Sequence, residues 1–531
     1  MTETRPGRWV VGVVLSALSA ALLIVIWQSY GNLWWLTVVA FVPMYLAQYR
    51  FLPRRWSAIP VAMAFGAHYF AVGMLSSSVL PVGIILGTAA ISAAIGLVIG
   101  AFLRPFAERT GYRWFVVQFG LIWVAIDLAV QNNEIIGTYM WMAYRLADAP
   151  QLISPVSITG TPALTLLLHV INAAIALAVL ALLDRRRPDL ADVPVPRRVL
   201  ALSLAVPAAV SILWVAVSMV LYTAVSNRMG PAVRVATVQP GLANASPGTL
   251  ISAGDMGSGR SEQQRRADQI AELSDMTRQA AARGARIVVW PEETLDYDPR
   301  LVNTDWIPAL LRQTGVYLAM GFTPDAQDSS APNTGLLWNP QGGVEIVYFK
   351  TKRVLAEGES FIPGTVYPTV QTSVGTLGMI ICFDIDFPDG PARRTVSDGA
   401  QLIVAPSIDV ESISSVRSAS TVFRAVENRV AMVKADAAWD SVIVAPNGRV
   451  IASDNIHTPL GGQALLVADV PLGPRGAPFT RYGGVPFQWL TYALTTVMIG
   501  VMVVSWRRRR SDSIRAIAAT RSSESDVAIS W

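Results

Sequence analysis

Cysteine and histidine are almost absent from this chain of 531 residues, which has one cysteine, Cys382, and three histidines. A single cysteine excludes an intramolecular disulfide bond and any Cys-x-x-Cys motif. The histidines form no His-Glu-x-x-His zinc motif. His68 and His169 lie inside apolar runs and His457 lies in a distant loop, so a Cys-His catalytic pair is not expected either. We therefore expect no metal and no cofactor.

Charged residues are also scarce. They make up 15% of the chain against 52% hydrophobic residues, and the mean hydropathy is +0.43. This composition excludes one ordinary soluble domain. The apolar residues concentrate in 9–226 and 487–506, whereas 233–470 has the mixed composition of a globular domain. The net charge of +5 comes from arginines at the ends of apolar runs, which favours a membrane protein over a nucleic-acid-binding one.

The apolar runs have the length of membrane spans, since about 20 helical residues cross a hydrocarbon core about 30 Å thick. Seven such runs precede the globular region, and an eighth run at 487–506 follows it. The chain therefore predicts a helical membrane bundle of about eight transmembrane helices. The seven runs before the globular region are 9–27, 33–49, 58–76, 81–103, 114–130, 162–183 and 199–225.

The arginines predict how the bundle is oriented. They precede the first run and follow the second, fourth and sixth runs, whereas the alternate loops hold only Arg145. The positive-inside rule then places both termini in the cytoplasm and the globular region outside. The predicted domains are a transmembrane region at 1–230, a globular domain at 231–472, a linker with the last helix at 473–510 and a disordered cytoplasmic tail at 511–531.

The globular region alternates strands with a few helices, which predicts an α/β sandwich. A helix is expected at 262–283, with Ser261 and Gln264 as a capping box and Gly284 as its stop. A hairpin is expected at 441–453. The other predicted strands are 233–238, 287–290, 317–322, 334–338, 344–349, 378–384, 402–405 and 430–434.

Three polar residues follow apolar strands, where a sheet fixes the backbone and the side chain can face a cleft. They are Glu292, Lys350 and Cys382. Each alone also fits a plain structural role: a solvated turn, a solvated basic segment or an inert buried thiol. Together they could perform acyl transfer, because a thiol of pKa about 8.5 needs a base and a cation to act as a nucleophile.

The stretches around these residues resemble the Glu-Lys-Cys signature of the nitrilase superfamily. They read Trp290-Pro291-Glu292, Tyr348-Phe349-Lys350 and Ile381-Cys382-Phe383-Asp384. The chain places seven predicted membrane spans before a nitrilase-like domain and one span after it. This arrangement is similar to that of the apolipoprotein N-acyltransferase family. The resemblance implies an αββα sandwich on the outer face of the cytoplasmic (inner) membrane, working as a monomer. It also implies transfer of an acyl chain from a phospholipid to the α-amino group of the N-terminal diacylglyceryl-cysteine of lipoproteins.

The same resemblance implies roles for individual residues. Cys382 would hold the acyl group as a thioester and Glu292 would be the general base. Lys350 and the backbone N–H of Phe383 would bind the oxyanion.

Two further acids match the family. Glu359 resembles a glutamate that supports the lysine, and Asp384 stands where the family has a carboxylate. The chain departs from the family at Ser407-Ile408-Asp409-Val410, where an Asn-Asp pair and an aromatic residue are common, and at Ala435-Asp436-Ala437-Ala438-Trp439.

Two other functions fit parts of the pattern. A membrane-tethered amidase would use the same triad on a small amide, with water as the acceptor, and would need no apolar groove beside Cys382. A transporter or receptor that only binds ligand would keep its function after Cys382→Ser and would carry charged pairs within its spans.

Overall fold

Long apolar helices form the first and last parts of the protein. The computed structural model describes residues 6–29, 33–77, 80–135, 137–241, 261–302, 304–324, 331–454 and 462–528. Its α-helices are α1 (Pro6–Gln28), α2 (Val42–Leu46), α3 (Ile59–Met74), α4 (Val82–Arg109), α5 (Phe115–Val130), α6 (Pro150–Ile153), α7 (Val156–Thr159), α8 (Thr161–Arg186), α9 (Arg197–Ser226), α10 (Glu262–Ala282), α11 (Trp306–Thr314), α12 (Pro391–Ser397), α13 (Glu411–Asn428), α14 (Pro478–Tyr482) and α15 (Val485–Ala528).

Six helical segments within the described residues are long and apolar enough to cross a membrane. The apolar helix α5 corresponds to the predicted run at 114–130, but its 16 residues span only about 24 Å. The structure thus supports six of the predicted spans by length and composition. The six segments are Gly7–Gln28, Arg54–Met74, Val82–Arg109, Thr161–Arg186, Arg197–Ser226 and Val485–Arg507.

The predicted span at 33–49 is not one continuous helix. The chain there forms a 3-10 helix, then α2, then a short π-helix. Pro43 stands at the start of α2, where its missing N–H costs nothing. Asn172 on α8 binds the backbone groups left free: its Oδ1 accepts from the Phe41 N–H (2.9 Å) and its Nδ2 donates to the Thr37 carbonyl (2.7 Å). Irregular backbone at membrane depth needs such partners.

The C-terminal tail also differs from the expectation of disorder at 511–531. The helix α15 continues from the apolar segment through Ala528. An established helix adds further residues at little cost, and alanine and arginine are good helix formers. The polar tail therefore extends the helix that the membrane segment begins.

In the part of the chain that the structure describes, twelve strands form two six-stranded sheets. The strands are β1 (Ala232–Gln239), β2 (Ile287–Val289), β3 (Tyr317–Phe322), β4 (Thr334–Trp338), β5 (Val344–Phe349), β6 (Thr369–Thr372), β7 (Gly375–Met379), β8 (Leu402–Ser407), β9 (Ala431–Asp436), β10 (Val442–Val444), β11 (Val450–Ser453) and β12 (Ala464–Pro471). The first sheet has the order β12-β1-β2-β3-β4-β5 and the second has the order β11-β10-β9-β8-β7-β6.

The two sheets pack face to face through alternate residues of their strands. Val235 and Ile287 of the first sheet share a core with Leu377 and Val433 of the second. The outer face of the first sheet packs against α10 and α11. The outer face of the second packs against α12 and α13, so the domain is an αββα sandwich.

The α12/α13 layer also packs against the membrane helices. Phe423 of α13 belongs to the same buried cluster as Trp123 of α5 and Leu168 of α8. Polar contacts cross the same boundary: Thr161 Oγ1 donates to Glu427 Oε1 (2.6 Å), and Arg424 Nη2 donates to the Tyr144 hydroxyl (3.3 Å). The αββα sandwich and the helical bundle therefore share one apolar core.

Most predicted elements of the globular region are present. The helix α10 has the predicted capping box, and β10 and β11 form the predicted hairpin around Asn447 and Gly448. The predicted strand at 378–384 is displaced, because β7 ends at Met379 and Cys382–Asp386 is a 3-10 helix. The Gly- and Ser-rich stretch of sequence at 242–260 and His457 lie outside the described residues.

Candidate active site

Glu292 lies just beyond β2, in a turn attached to β3. The Gly321 N–H donates to the Pro291 carbonyl (3.1 Å), and the Thr294 N–H donates to the Gly321 carbonyl (2.9 Å). A side chain at Gly321 would meet the Glu292 Cα at 2.8 Å, so only glycine allows this close approach. The Glu292 carboxylate is 4% exposed, and Asn333 Nδ2 donates to its Oε1 at 2.7 Å.

Lys350 lies between two carboxylates at the end of β5. Its Nζ is 2.9 Å from Glu292 Oε1 and 2.7 Å from Glu359 Oε1, and its side chain is 1% exposed. Glu359 is held in place by the Val354 N–H, which donates to its Oε2. Burial alone would lower the pKa of Lys350, but the two carboxylates outweigh it and raise that pKa well above its ordinary value. The lysine is therefore a permanent cation.

Cys382 begins the 3-10 helix after β7, and its backbone adopts a left-handed conformation with φ of +44°. Non-glycine residues rarely adopt this region, and those that do cluster at functional sites. The thiol donates to the Ile408 carbonyl (3.5 Å), and the N–H of the same residue donates to Glu292 Oε2 (3.2 Å). Ile408 thus bridges the thiol and the carboxylate.

Asp384 connects the 3-10 helix Cys382–Asp386, here called the cysteine turn, to the segment that carries Lys350. It is fully buried, and its Oδ2 accepts from the Tyr348 hydroxyl (2.7 Å) and the Ile381 N–H (3.1 Å). Its Oδ1 accepts from the hydroxyl and N–H of Thr351 and from the Lys352 N–H. Burial raises the pKa of Asp384 to about 6 despite these donors. The carboxylate therefore positions two strand ends relative to each other.

The thiol is protonated at rest. Burial, and then the nearby Glu292 carboxylate, raise the pKa of Cys382 well above its ordinary value, while Lys350 and Arg417 oppose the shift. A thiol in this environment ionises only when its proton has somewhere to go. An adjacent base is the usual means of activating such a nucleophile.

Sequence reasoning missed a second charged group beside the thiol. Arg417 of α13 donates from Nη1 to Cys382 Sγ at 3.6 Å and pairs with Asp386 (3.2 Å) and Asp409 (3.5 Å). Lys434 binds the other oxygen of Asp409 at 2.6 Å. Asn333 was missed as well. The available signal was topological: β8 runs parallel to β7, so the residues after Ser407 must lie beside those after Met379.

A small cavity adjoins the cysteine turn on the side of the membrane helices. The bundle contributes Leu80, Ile135 and Tyr139 to its lining, and the sandwich contributes Val354, Phe383 and Arg417. Its surface is mostly apolar. The cavity has a volume of about 40 Å³ and marks the boundary between the helical bundle and the sandwich beside Phe383.

Glu293, the neighbour of Glu292, should make the stability of the protein depend on pH. Burial, and then the Glu292 carboxylate, raise the pKa of Glu293 from 4.5 to about 7. An acid with a raised folded-state pKa loses its stabilising contribution as the pH rises from its unfolded to its folded value. Glu293→Gln should therefore gain in melting temperature relative to the parent between pH 5 and pH 8. Thermal unfolding in detergent measures this.

The exposed Glu345 of β5 provides the matched control for that measurement. Glu345→Gln should follow the parent protein across the same pH range. A constant difference between Glu293→Gln and the parent at every pH would show that Glu293 is ionised in the folded state.

The structure thus brings the predicted residues together around one point. Glu292, Lys350 and Glu359 are in direct contact, and Cys382 joins them through Ile408. The remaining two predicted residues, Phe383 and Asp384, belong to the 3-10 helix that begins with the cysteine.

Two protein-family models match this chain. Residues 235–476 match the carbon-nitrogen hydrolase family, and residues 19–174 match the N-terminal domain of apolipoprotein N-acyltransferases. The fold and the matched domain define a nitrilase-superfamily protein built onto a bundle of apolar helices. More narrowly, the two matches together support the apolipoprotein N-acyltransferase family, which the sequence motifs had indicated.

Two curated relatives and one solved structure are similar to parts of this chain. An apolipoprotein N-acyltransferase of Mycolicibacterium smegmatis is 29% identical over 278 residues, covering 45% of this chain and 45% of the relative. One from Geobacter metallireducens is 28% identical over 265 residues, covering 44% and 49% respectively. The chain spans about half the length of these curated relatives. A solved amidase from Nesterenkonia sp. is 21% identical, covering 49% of this chain and 97% of that one with a TM-score of 0.38.

Proposed function

We propose that this protein is an apolipoprotein N-acyltransferase. It takes an acyl chain from a phospholipid, holds it as a thioester on Cys382, and passes it to the α-amino group of the diacylglyceryl-cysteine at the start of a lipoprotein. One observation carries the proposal. The buried Glu292, paired with the Lys350 cation, and the buried Cys382 thiol both contact Ile408, and a cavity lined partly by the helical bundle lies beside Phe383, the residue after the cysteine.

The first half of the reaction uses Glu292 and Cys382, which both contact Ile408. Glu292 takes the thiol proton, and the sulfur attacks the carbonyl carbon of the phospholipid ester. Collapse of the tetrahedral intermediate breaks the bond to the glycerol oxygen, which receives the proton back from Glu292. The lysophospholipid leaves, and the acyl group remains on sulfur.

The second half repeats this chemistry with an amine. Glu292 takes a proton from the α-amino group as its nitrogen attacks the thioester, and the thiol leaves with that proton. Lys350 and the Phe383 N–H stabilise the negative oxygen in both halves. Glu359 keeps the lysine directed at that oxygen. The apolar surroundings keep water away from the thioester.

The membrane frame suits two lipid substrates, since neither has to leave the bilayer. The arginines at the ends of apolar runs lie away from the sandwich: Arg109 stacks on Trp506 (4.4 Å), and Arg50 pairs with Asp184 (2.6 Å). The positive-inside rule then favours a cytoplasmic position for this end and an outer-face position for the sandwich.

The adduct on Cys382 tests the proposal. The full-length protein in detergent is incubated with phospholipid carrying a labelled acyl chain, quenched in acid and digested, and the cysteine peptide is analysed by mass spectrometry. We expect one acyl group per chain on Cys382. A synthetic diacylated lipopeptide should discharge it and appear as the N-acylated product.

Cys382→Ala is the matched control and should give neither adduct nor product. Absence of the adduct at all quench times, with no lipopeptide product, would contradict the proposal. An adduct that only water discharges would favour the amidase alternative. Product formed by Cys382→Ala would exclude the thioester.

A further inference from the structure

Arg417 is a cation that directly contacts the reacting sulfur, to which the Asp409 carboxylate also lies close, with its Oδ1 at 3.9 Å. It extends from α13 with a side chain only 5% exposed, and its Nη1 lies 3.6 Å from Cys382 Sγ. Its guanidinium also lies over the Phe383 ring, 4.8 Å from the centroid. Both contacts are to the cysteine turn, so the arginine and the nucleophile keep a fixed relation.

The position of Arg417 is set by two buried aspartates. Asp386, fully buried, lies 3.2 Å from its Nε, and Asp409 lies 3.5 Å from its Nη1. Lys434 also pairs with Asp409 at 2.6 Å, so that aspartate shares its charge between two cations. Asp386 therefore orients the guanidinium while Nη1 faces the sulfur.

The charges around Lys350 show why a second cation is needed. One ammonium contacts two carboxylates, Glu292 and Glu359, so this group is net negative before any thiolate forms. A new negative charge beside it is disfavoured unless another cation is near. The charged groups facing the thiol are Glu292 after β2, Lys350 after β5, Asp409 after β8 and Arg417 from α13.

We propose that Arg417 is a catalytic residue that stabilises the Cys382 thiolate by hydrogen bonding to its sulfur. The proton of the thiol passes to Glu292, and Arg417 itself neither gains nor loses one. When the sulfur bonds to the acyl carbon, its charge moves to the carbonyl oxygen, where Lys350 binds it. Arg417 thus stabilises the negative charge while it is on the sulfur, and Lys350 stabilises it after it has moved to the carbonyl oxygen.

The pH profile of cysteine alkylation tests this role. Cys382 is the single cysteine, so iodoacetamide incorporation into the full-length protein in detergent reports on it alone. For Arg417→Gln we expect the midpoint of the profile to rise by about one to two pH units. Arg417→Lys keeps the charge and should shift the midpoint less.

Two variants that change Asp386 complete the experiment: one is a control for charge, and the other keeps the test valid if Arg417→Gln misfolds. Asp386→Asn alone removes a negative charge and should leave the midpoint unchanged or lower. The paired change Arg417→Met with Asp386→Asn leaves no unpaired buried charge between these two, and the midpoint should still rise. A changed access to the thiol would scale the rate at every pH without moving the midpoint.

An unchanged midpoint in the folded paired variant would overturn the proposal, as would a lower midpoint in Arg417→Gln. The proposal rests on Cys382 as the nucleophile but not on the identity of the acyl donor. Alkylation that depends on Arg417, in a protein that phospholipid never acylates, would retain this inference and reject the proposed function.

Discussion

Glu292→Gln should lower the rate of Cys382 acylation by phospholipid about 10³-fold, the size expected for a lost general base. Glutamine has nearly the same shape, and its one carbonyl oxygen can accept the hydrogen bonds that Glu292 Oε1 accepts from Asn333 and Lys350. The turn after β2 should persist, because backbone hydrogen bonds to β3 hold it. The ability to take the thiol proton is lost, together with the hydrogen bond from the Ile408 N–H. Single-turnover labelling with phospholipid measures the effect without dependence on the acceptor.

Glu293→Gln is the matched control, because it makes the same chemical change one residue along the same turn. Its acylation rate near neutral pH should stay within a few-fold of the parent rate. If Glu293→Gln lost the activity and Glu292→Gln kept it, the Trp290-Pro291-Glu292 register would assign the base wrongly.

Lys350→Met should abolish acylation and also destabilise the protein. The substitution leaves the buried Glu292 carboxylate and the partly buried Glu359 carboxylate without their shared cation. Breaking a buried ion pair by removing one partner costs about 3–5 kcal/mol. Denaturant titration in detergent measures the loss of stability, and labelling of Cys382 measures the loss of activity.

Lys352→Met is the corresponding control, since this lysine lies two residues away and is partly exposed. Its ion pair with Glu134 spans 3.7 Å and should contribute no more than about 1 kcal/mol. Restoring stability by Lys350→Met with Glu359→Gln, without restoring acylation, would separate the two effects. Full acylation by Lys350→Met would contradict the proposed oxyanion role.

Most strands were predictable because they are short apolar runs bounded by turns, but the edge strands β6 and β12 were not predicted. Helix α13 was not, although it forms the layer between the second sheet and the bundle. Its sequence is rich in serine and valine, which are modest helix formers, and its apolar side chains, such as Val416 and Phe423, are buried in the shared core. Tertiary packing stabilises this helix more than local propensity does.

The site was predictable only where its residues follow a strand. Glu292, Lys350 and Cys382 do so, and their spacing matched a known signature. Arg417 lies within an unpredicted helix, and Asn333 precedes a strand rather than following one. The broken span around Pro43 shows the same limit, since hydropathy averages side chains but does not report which backbone groups Asn172 binds.

The core that α13 shares with α5 and α8 has a consequence for how the molecule is made. Those two helices leave the ribosome well before α13 does, so the surface that will receive it already exists inside the lipid. The sandwich then completes its last layer by settling onto a membrane-embedded template. If the sandwich were expressed without the membrane helices, the apolar side chains of α13 would be exposed and the fragment would precipitate. The folding of this domain therefore depends on helices that are already in the bilayer.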